Sequence, residues 1–234
     1  MADFKTHLTF STLVGAGYGA GAYLMFDVPP PTCILAGGLC AVSGMLPDID
    51  SDSGVPLRES LAFGAAVVAM MLAGRLQQLG VSSESIVLAG AAAYLFIRFI
   101  FARLLKRYTV HRGMFHSIPA AVIFGELAFL LASGDVNIRL YKAAAVVLGY
   151  LSHLALDELY SLEWARGRPR LKRSFGTALK VWGRRWWPNL ATFAKLAVLS
   201  YVAFKEPGWM DQYQRHVRPQ VRQAATQVID RVIR

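Results

Sequence analysis

The chain has 234 residues, of which 55% are hydrophobic and only 17% are charged, and its mean hydropathy is +0.38. Soluble domains are about half apolar and about a quarter charged, so this composition argues against an ordinary soluble enzyme and favours a membrane protein. The formal net charge of +10 would also suit a nucleic-acid-binding protein, an alternative that depends on where the charges lie.

Six apolar runs approach the length of roughly 20 residues at which a helix spans a bilayer. The first run follows a weakly basic N-terminus and predicts an anchor rather than a cleavable signal peptide. A seventh run, 188–207, is bracketed by Trp187 and Trp209 but contains Lys195, so its crossing of the membrane is left open. The six predicted spans are 8–26, 31–47, 60–80, 84–103, 117–133 and 140–156. The sequence therefore predicts an all-α, polytopic membrane bundle of six to seven spans.

Most basic residues fall on one face when successive spans are placed on alternating sides. That face comprises the N-terminus, the 48–59 and 104–116 loops and the 158–187 segment, whereas the opposite loops carry little beyond Arg75, Arg139 and Lys142. The positive-inside rule then places the basic face in the cytoplasm. This distribution accounts for most of the net charge, so we expect membrane lipids rather than nucleic acid as the partner.

Two segments follow a membrane-embedded domain at residues 1–157. Residues 158–210 combine many arginines and lysines with tryptophans, which settle at the headgroup level, and predict an interfacial segment that includes the open seventh span. Residues 211–234 place apolar side chains at near-helical spacing and predict an amphipathic tail on a membrane surface or against a protein partner. The tryptophans of the first segment are Trp164, Trp182, Trp186 and Trp187, and the apolar positions of the tail are Val221, Ala224, Val228 and Val232.

Histidines and aspartates gather at span ends that share the predicted cytoplasmic face. They occur in "LPDIDSDSG" after the second span, "HRGMFHS" before the fifth and "GYLSHLALDEL" at the end of the sixth, with His7 at the start of the first. Such groups are costly to desolvate unless they hold a cation. The candidate metal ligands are His7, Asp48, Asp50, His111, His116, His153 and Asp157, with Asp52 as a further candidate that otherwise caps a turn.

The spacing of these residues favours convergence. His153 and Asp157 are four residues apart and share one side of a helix. Gly113 and a Ser117 N-cap predict a loop that enters a helix and lets the two flanking histidines approach each other. Pro47 ends the second span, so an extended turn is expected to place Asp48 and Asp50 on one side. Seven ligands exceed the needs of one catalytic zinc, and we expect two divalent ions, Zn²⁺ before Mn²⁺ or Fe²⁺.

The combination of "LPDID", "HRGMFHS" and "SHLALD", after His7 and a Gly-rich first span, resembles the YdjM-like family of inner-membrane proteins. Members of that family are described as LexA-binding and as metal-dependent hydrolases. The resemblance covers residues 7–157 and implies a distant similarity to helical zinc-dependent phospholipase C and nuclease proteins, and hence phosphoester chemistry. Many members follow the paired aspartates with histidine, whereas this chain has Ser51, so one possible ligand of the family pattern is not matched.

These observations predict a metal-dependent hydrolase of a phosphoester or phosphoanhydride, including lipid-linked ones, at the cytoplasmic face of the inner membrane. A metal-bound water is the expected nucleophile. Arg112 either clamps a substrate phosphate or is one more basic residue of this face. The alternative is a non-catalytic membrane protein that uses metal to fix its helices and recruits a cytosolic partner, which the LexA association of the family would suit.

Overall fold

The structure is a computed structural model that describes residues 3–50, 55–101, 103, 113–165, 168–171, 176, 178–183 and 185–208, with the backbone alone for 49–50, 55–60, 162–165 and 168–171. Within this part of the chain there are seven α-helices, one for each of the six predicted spans and one for the open seventh segment. They are α1 (Phe4–Phe26), α2 (Pro30–Ser43), α3 (Val55–Gln78), α4 (Ser83–Leu95), α5 (Ile118–Leu131), α6 (Val136–Leu159) and α7 (Trp186–Phe204). The all-α membrane class is thereby confirmed.

Three short elements supplement the helices. A 3₁₀ turn covers Leu46–Asp50, a π-helical segment over Phe96–Phe101 continues α4, and an antiparallel hairpin pairs β1 (Leu162–Ala165) with β2 (Arg168–Leu171). The 3₁₀ turn corrects the expectation of an extended turn at Asp48 and Asp50. Helix α2 ends at Ser43 with Gly44 as its cap, and not at Pro47 as expected. Pro47 lies instead in the first turn of the 3₁₀ segment, where a proline is tolerated because no helical hydrogen bond needs its missing N–H.

The outward faces of the helices are apolar, as a bilayer requires. Exposed fractions reach 77% for Leu24, 76% for Ile34 and 71% for Leu88, on three different helices. Among the described residues, three segments are long and apolar enough to cross a membrane: Pro30–Asp48, Leu61–Gln78 and Ser83–Phe101. Ile118–Leu131 is a shorter apolar helix. The lengths of these apolar segments and the apolar outward faces of the helices therefore both indicate a membrane-embedded bundle.

Side-chain caps set the starts of several helices. The hydroxyl and the amide of Thr6 donate hydrogen bonds to the Asp3 carboxylate, so Asp3 caps the start of α1. These hydrogen bonds also lower the pKa of the exposed Asp3 carboxyl. The Ser117 hydroxyl accepts a hydrogen bond from the Ala120 amide at 3.4 Å, so the predicted cap of α5 is confirmed. This cap fixes the direction in which the chain leaves the 113–116 loop and enters the bundle.

Glycines allow α1, α2 and α6 to approach one another closely. A Cβ added at Gly15 of α1 would lie 2.4 Å from the carbonyl oxygen of Gly37 in α2, and one at Gly149 of α6 would lie 2.0 Å from that of Cys40. Small residues let helix backbones come together in membranes, where packing rather than hydrophobicity drives association. Since Gly149 precedes His153 by about one turn, this contact brings the end of α6 against the end of α2.

Helix α7 runs alongside α5 from one end of the bundle to the other. Near its start, Asn189 exchanges two hydrogen bonds with the backbone of Gly183, at 2.8 and 2.9 Å, and Gly183 lies against Met114. Just beyond its end, Glu206 pairs with Arg75 and Arg139, at the end of α3 and the start of α6. Its 19 residues correspond to about 28 Å of helix, close to the hydrocarbon thickness of a bilayer.

Candidate metal centre

Five of the predicted ligands come together at one end of the bundle. They belong to four separate places in the chain: the second turn of α1, the 3₁₀ turn after α2, the loop before α5 and the last two turns of α6. The converging residues are His7, Asp48, His116, His153 and Asp157. Two overlapping triads, His7–Asp48–His153 and His116–His153–Asp157, each place one ligand atom per residue within 4.8 Å of the others. His153 is common to both triads and is the centre of the cluster.

The distances between the ligand atoms suit a shared cation. His153 Nε2 lies 3.6 Å from Asp48 Oδ1 and 3.7 Å from Asp157 Oδ2. His116 Nε2 is 3.6 Å from Asp48 Oδ1, and His7 Nε2 is 3.5 Å from Asp157 Oδ1. Two ligand atoms of one tetrahedral zinc, each at about 2.0–2.2 Å from the ion, lie about 3.3–3.6 Å apart. The spacing is thus near that of atoms bound to the same metal ion and too long for good direct hydrogen bonds.

A backbone contact orients His153. Its Nδ1 lies 2.7 Å from the carbonyl oxygen of Gly44, which can only accept, so Nδ1 carries the proton and donates it. The Nε2 lone pair then faces the two carboxylates. Metal-binding histidines commonly use their second nitrogen in this way, because the hydrogen bond fixes both tautomer and ring orientation. The ring of His7 stacks on that of His153, with centroids 3.7 Å apart, and restricts it further.

The buried polar atoms of the cluster match the needs of a metal better than those of a hydrogen-bonded core. Within the described part of the chain, His153 Nε2 and Asp157 Oδ1 are buried and make no hydrogen bond. Buried polar atoms are nearly always hydrogen-bonded in native proteins, and burial of a carboxylate is costly unless its charge is compensated. A divalent cation would satisfy these atoms and offset the charge of Asp48 and Asp157. The residues present therefore fit a metal ion.

Burial differs across the cluster in an informative way. The side chains of His7, His116 and His153 are at most 2% exposed and that of Asp157 is 3% exposed, whereas the Asp48 side chain is 27% exposed. The cluster is therefore closed on the side of α1 and α6 and accessible on the side of the 3₁₀ turn. Structural metal sites are closed, whereas catalytic ones keep a position for water or substrate. Access at Asp48 suits the second kind.

The remaining candidates cannot be placed in the cluster. The backbone of Asp50 belongs to the 3₁₀ turn, but its side chain lies outside the described structure. Asp52, His111 and Arg112 also lie outside the described residues. The proposed second metal ion and the proposed phosphate clamp depend on these residues, so both stay predictions.

Two positioning contacts were missed by the sequence reasoning. One is the Gly44 carbonyl, a backbone acceptor without a sequence signature. The other is Tyr150, whose hydroxyl donates to the carbonyl of Phe115 and so holds the loop that carries His116. Tyr150 is fully buried and precedes His153 by three residues, so it lies on the same side of α6. The three-residue spacing between Tyr150 and His153 could have indicated from the sequence that both side chains project from the same side of this helix.

Comparisons with known proteins support the membrane interpretation. The family model described as "YdjM inner membrane protein" matches residues 1–212, well beyond the 7–157 segment that carries the histidine and aspartate motifs. No curated protein and no solved structure matches the chain. Because the family model matches most of its length, and because its helices include candidate membrane spans, the chain belongs to the YdjM inner membrane protein family.

Proposed function

We propose that the protein is a metal-dependent hydrolase of a phosphoester or phosphoanhydride at the cytoplasmic face of the inner membrane. The observation that carries this proposal is the buried cluster around His153, in which three imidazoles and two carboxylates converge and one carboxylate is accessible. Mixed nitrogen and oxygen ligands suit Zn²⁺, Mn²⁺ or Fe²⁺. Access at one edge favours chemistry over a purely structural role.

The protein residues have distinct roles in this proposal. His7, His116, His153 and Asp157 would hold the metal from the buried side, and Asp48 would hold it at the accessible edge. A bound divalent metal lowers the pKa of a coordinated water towards neutrality and neutralises charge that develops on phosphate oxygens. The Gly44 carbonyl keeps the His153 lone pair directed at the cluster. Asp50, His111 and Asp52 are the candidates for a second ion, and Arg112 is the candidate phosphate clamp.

Metal content and hydrolysis together test the proposal. The full chain is purified in detergent, loaded with Zn²⁺ or Mn²⁺ and assayed with p-nitrophenyl phosphate, bis-p-nitrophenyl phosphate and phospholipids in mixed micelles. Phosphate or alcohol release that disappears in His153→Ala is the expected result. The matched control is Glu158→Gln, since the Glu158 carboxylate accepts hydrogen bonds from the Gly176 and Ala178 amides instead of joining the cluster. Metal-loaded protein without activity on any of these compounds would favour the non-catalytic alternative.

A further inference from the structure

An apolar cavity of about 380 Å³ lies between the α3–α4 hairpin and the core formed by α2, α5 and α6. Among the described residues that line it, Ser43 alone has a hydroxyl, amide or charged side chain, and its hydroxyl already donates to the Cys40 carbonyl at 3.0 Å. The apolar wall includes Leu39, Val42, Leu61, Val67, Phe124 and Val146. The cavity therefore offers shape and apolar surface but almost no hydrogen-bonding groups.

Such a cavity is suited to hydrocarbon and not to water. A buried water needs two to four polar partners, which this wall does not supply. Protein interiors contain few voids larger than a water molecule, because the atoms around a void lose their dispersion contacts. The volume falls instead in the range of roughly 300–1,000 Å³ that is usual for small-molecule pockets. In a bilayer the abundant apolar molecules are lipid chains.

One end of the cavity adjoins the start of the 3₁₀ turn whose Asp48 belongs to the candidate metal centre. Met45 and Leu46 line this end, and Asp48 follows two residues later at the accessible edge of the cluster. Leu46 also packs against the core that contains Tyr150 and Leu154, the residues that flank His153 on α6. A molecule with its apolar part in the cavity would thus have its polar end close to Asp48.

The α3–α4 hairpin forms the outer wall of the cavity. Among the described residues, α3 and α4 pack mainly against each other, and α3 also contacts α5, the 3₁₀ turn and, through Val67 and Met71, the core around Leu39 and Val146. The π-helical segment that continues α4 contributes Phe96, Ile97 and Phe101 to the lining. Segments of π-helix are rare and occur frequently at functional sites. The cavity is therefore bounded on its outer side by the α3–α4 hairpin and its π-helical continuation.

We infer that this cavity holds one hydrocarbon chain of a membrane lipid whose phosphorylated headgroup reaches the metal centre. The substrate class would then be a lipid phosphoester and not a free, water-soluble phosphate. The placement of the headgroup rests on the proposed hydrolase function, whereas binding of the hydrocarbon chain in the cavity does not. Experiments can therefore contradict one of these claims without the other.

Gly64 provides a substitution that fills the cavity without disturbing the backbone. It lines the cavity from α3, and an added Cβ would meet nothing within 4 Å. Leucine is also a better helix former than glycine, so Gly64→Leu is expected to fold. Gly17→Leu is the matched control, because Gly17 lies on the exposed side of α1, away from the cavity, and likewise has nothing within 4 Å of an added Cβ.

The test uses the full chain in detergent micelles with phosphatidic acid that carries a diazirine in one acyl chain. After irradiation, we expect crosslinks in the α3 and α5 peptides, competition by unlabelled phosphatidic acid and no competition by glycerol 3-phosphate. Gly64→Leu should reduce crosslinking in these peptides at least about tenfold, which corresponds to the loss of about two buried methylenes, and Gly17→Leu should leave it unchanged. Equal crosslinking in Gly64→Leu, or crosslinks confined to outward-facing residues, would overturn the inference.

A parallel measurement separates this inference from the proposed hydrolase function. In His153→Ala the acyl crosslinks should persist while hydrolysis is lost, because the cavity wall does not include His153. Crosslinks in the cavity without any phosphoester hydrolysis by metal-loaded protein would support the chain site and contradict the hydrolase. Hydrolysis of p-nitrophenyl phosphate without crosslinks in the cavity would support the proposed hydrolase function and contradict the binding of a hydrocarbon chain in the cavity.

Discussion

The Gly44 carbonyl oxygen lies 2.7 Å from Nδ1 of His153 and joins the end of α2 to the end of α6. This hydrogen bond lets the backbone at Gly44 fix the ring orientation of His153, the candidate ligand that both triads share. The position also needs glycine, because an added Cβ would lie 2.4 Å from Cβ and 2.5 Å from Oγ of Ser11 in α1. Three helices thus meet at a residue that is not itself a candidate ligand but orients the candidate ligand His153.

Gly44→Ala is therefore expected to weaken metal binding without removing a ligand. The new methyl group must displace Ser11 or the Gly44 carbonyl, and loss of an orienting hydrogen bond to a ligand typically costs roughly 10- to 100-fold in metal affinity. Competition with a chromophoric chelator measures the change. Gly38→Ala in α2 is the control, since nothing lies within 4 Å of its added Cβ. Equal affinities in the two variants would contradict the orienting role of Gly44.

His153 and Asp157 are expected to act as one unit. Their side chains project from the same side of α6, with ligand atoms 3.7 Å apart, so alanine at either position should remove the same metal ion. The double substitution should then cost little more than the worse single one, because residues that serve one unit are strongly non-additive. Elemental analysis of the purified variants measures this, with Glu158→Gln as the control carboxylate. Full metal occupancy in His153→Ala would refute the ligand assignment.

Local patterns in the sequence were sufficient to predict the helices and several residues of the His/Asp cluster. The i,i+4 spacing of His153 and Asp157 and the Ser117 cap depend only on neighbouring residues, and both are present in the structure. The apolar cavity and the Gly44 contact depend on how distant helices pack, which no local pattern encodes. The 3₁₀ turn at Asp48 differed from expectation because proline is compatible with both an extended chain and a first helical turn.

Glu206 is expected to stabilise the opposite end of the bundle. It pairs with Arg75 and with Arg139, whose NH1 lies 3.2 Å from Glu206 Oε1, and all three side chains are at most 15% exposed. Glu206→Gln would leave the buried Arg139 guanidinium and the partly buried Arg75 guanidinium without their carboxylate, and removal of one partner of a buried pair costs about 3–5 kcal/mol.

Thermal unfolding followed by circular dichroism measures this loss, with the exposed Glu84→Gln at the start of α4 as the control. Metal stoichiometry should be unchanged at permissive temperature, because the Glu206 contacts lie at the far end of α6 from His153 and Asp157. A Glu206→Gln protein as stable as Glu84→Gln would show that the two arginines have other means of compensation.

The orientation of the chain gives the last prediction. The positive-inside rule predicts that the candidate metal centre lies on the cytoplasmic side, and α7 runs from that end of the bundle to the Arg75–Arg139 end. The C-terminal tail should therefore emerge on the side opposite the metal centre, even though its arginines would favour the cytoplasm. Here the packing of α7 and the charge rule make opposite predictions. We expect packing to prevail because the end of α7 is held by the Glu206 ion pairs.

Single cysteines in a Cys33→Ala, Cys40→Ala background can decide the orientation in intact cells. Gly54→Cys and Thr109→Cys, in the two motif loops, should react with an impermeant maleimide only after permeabilisation. Gln220→Cys in the tail should react before it if, as we predict, α7 carries the chain across the roughly 30 Å hydrocarbon core. Labelling of position 54 or 109 from outside would overturn the cytoplasmic placement of the metal centre. Protection of position 220 in intact cells would instead show that α7 traverses the bundle without carrying the tail across the membrane.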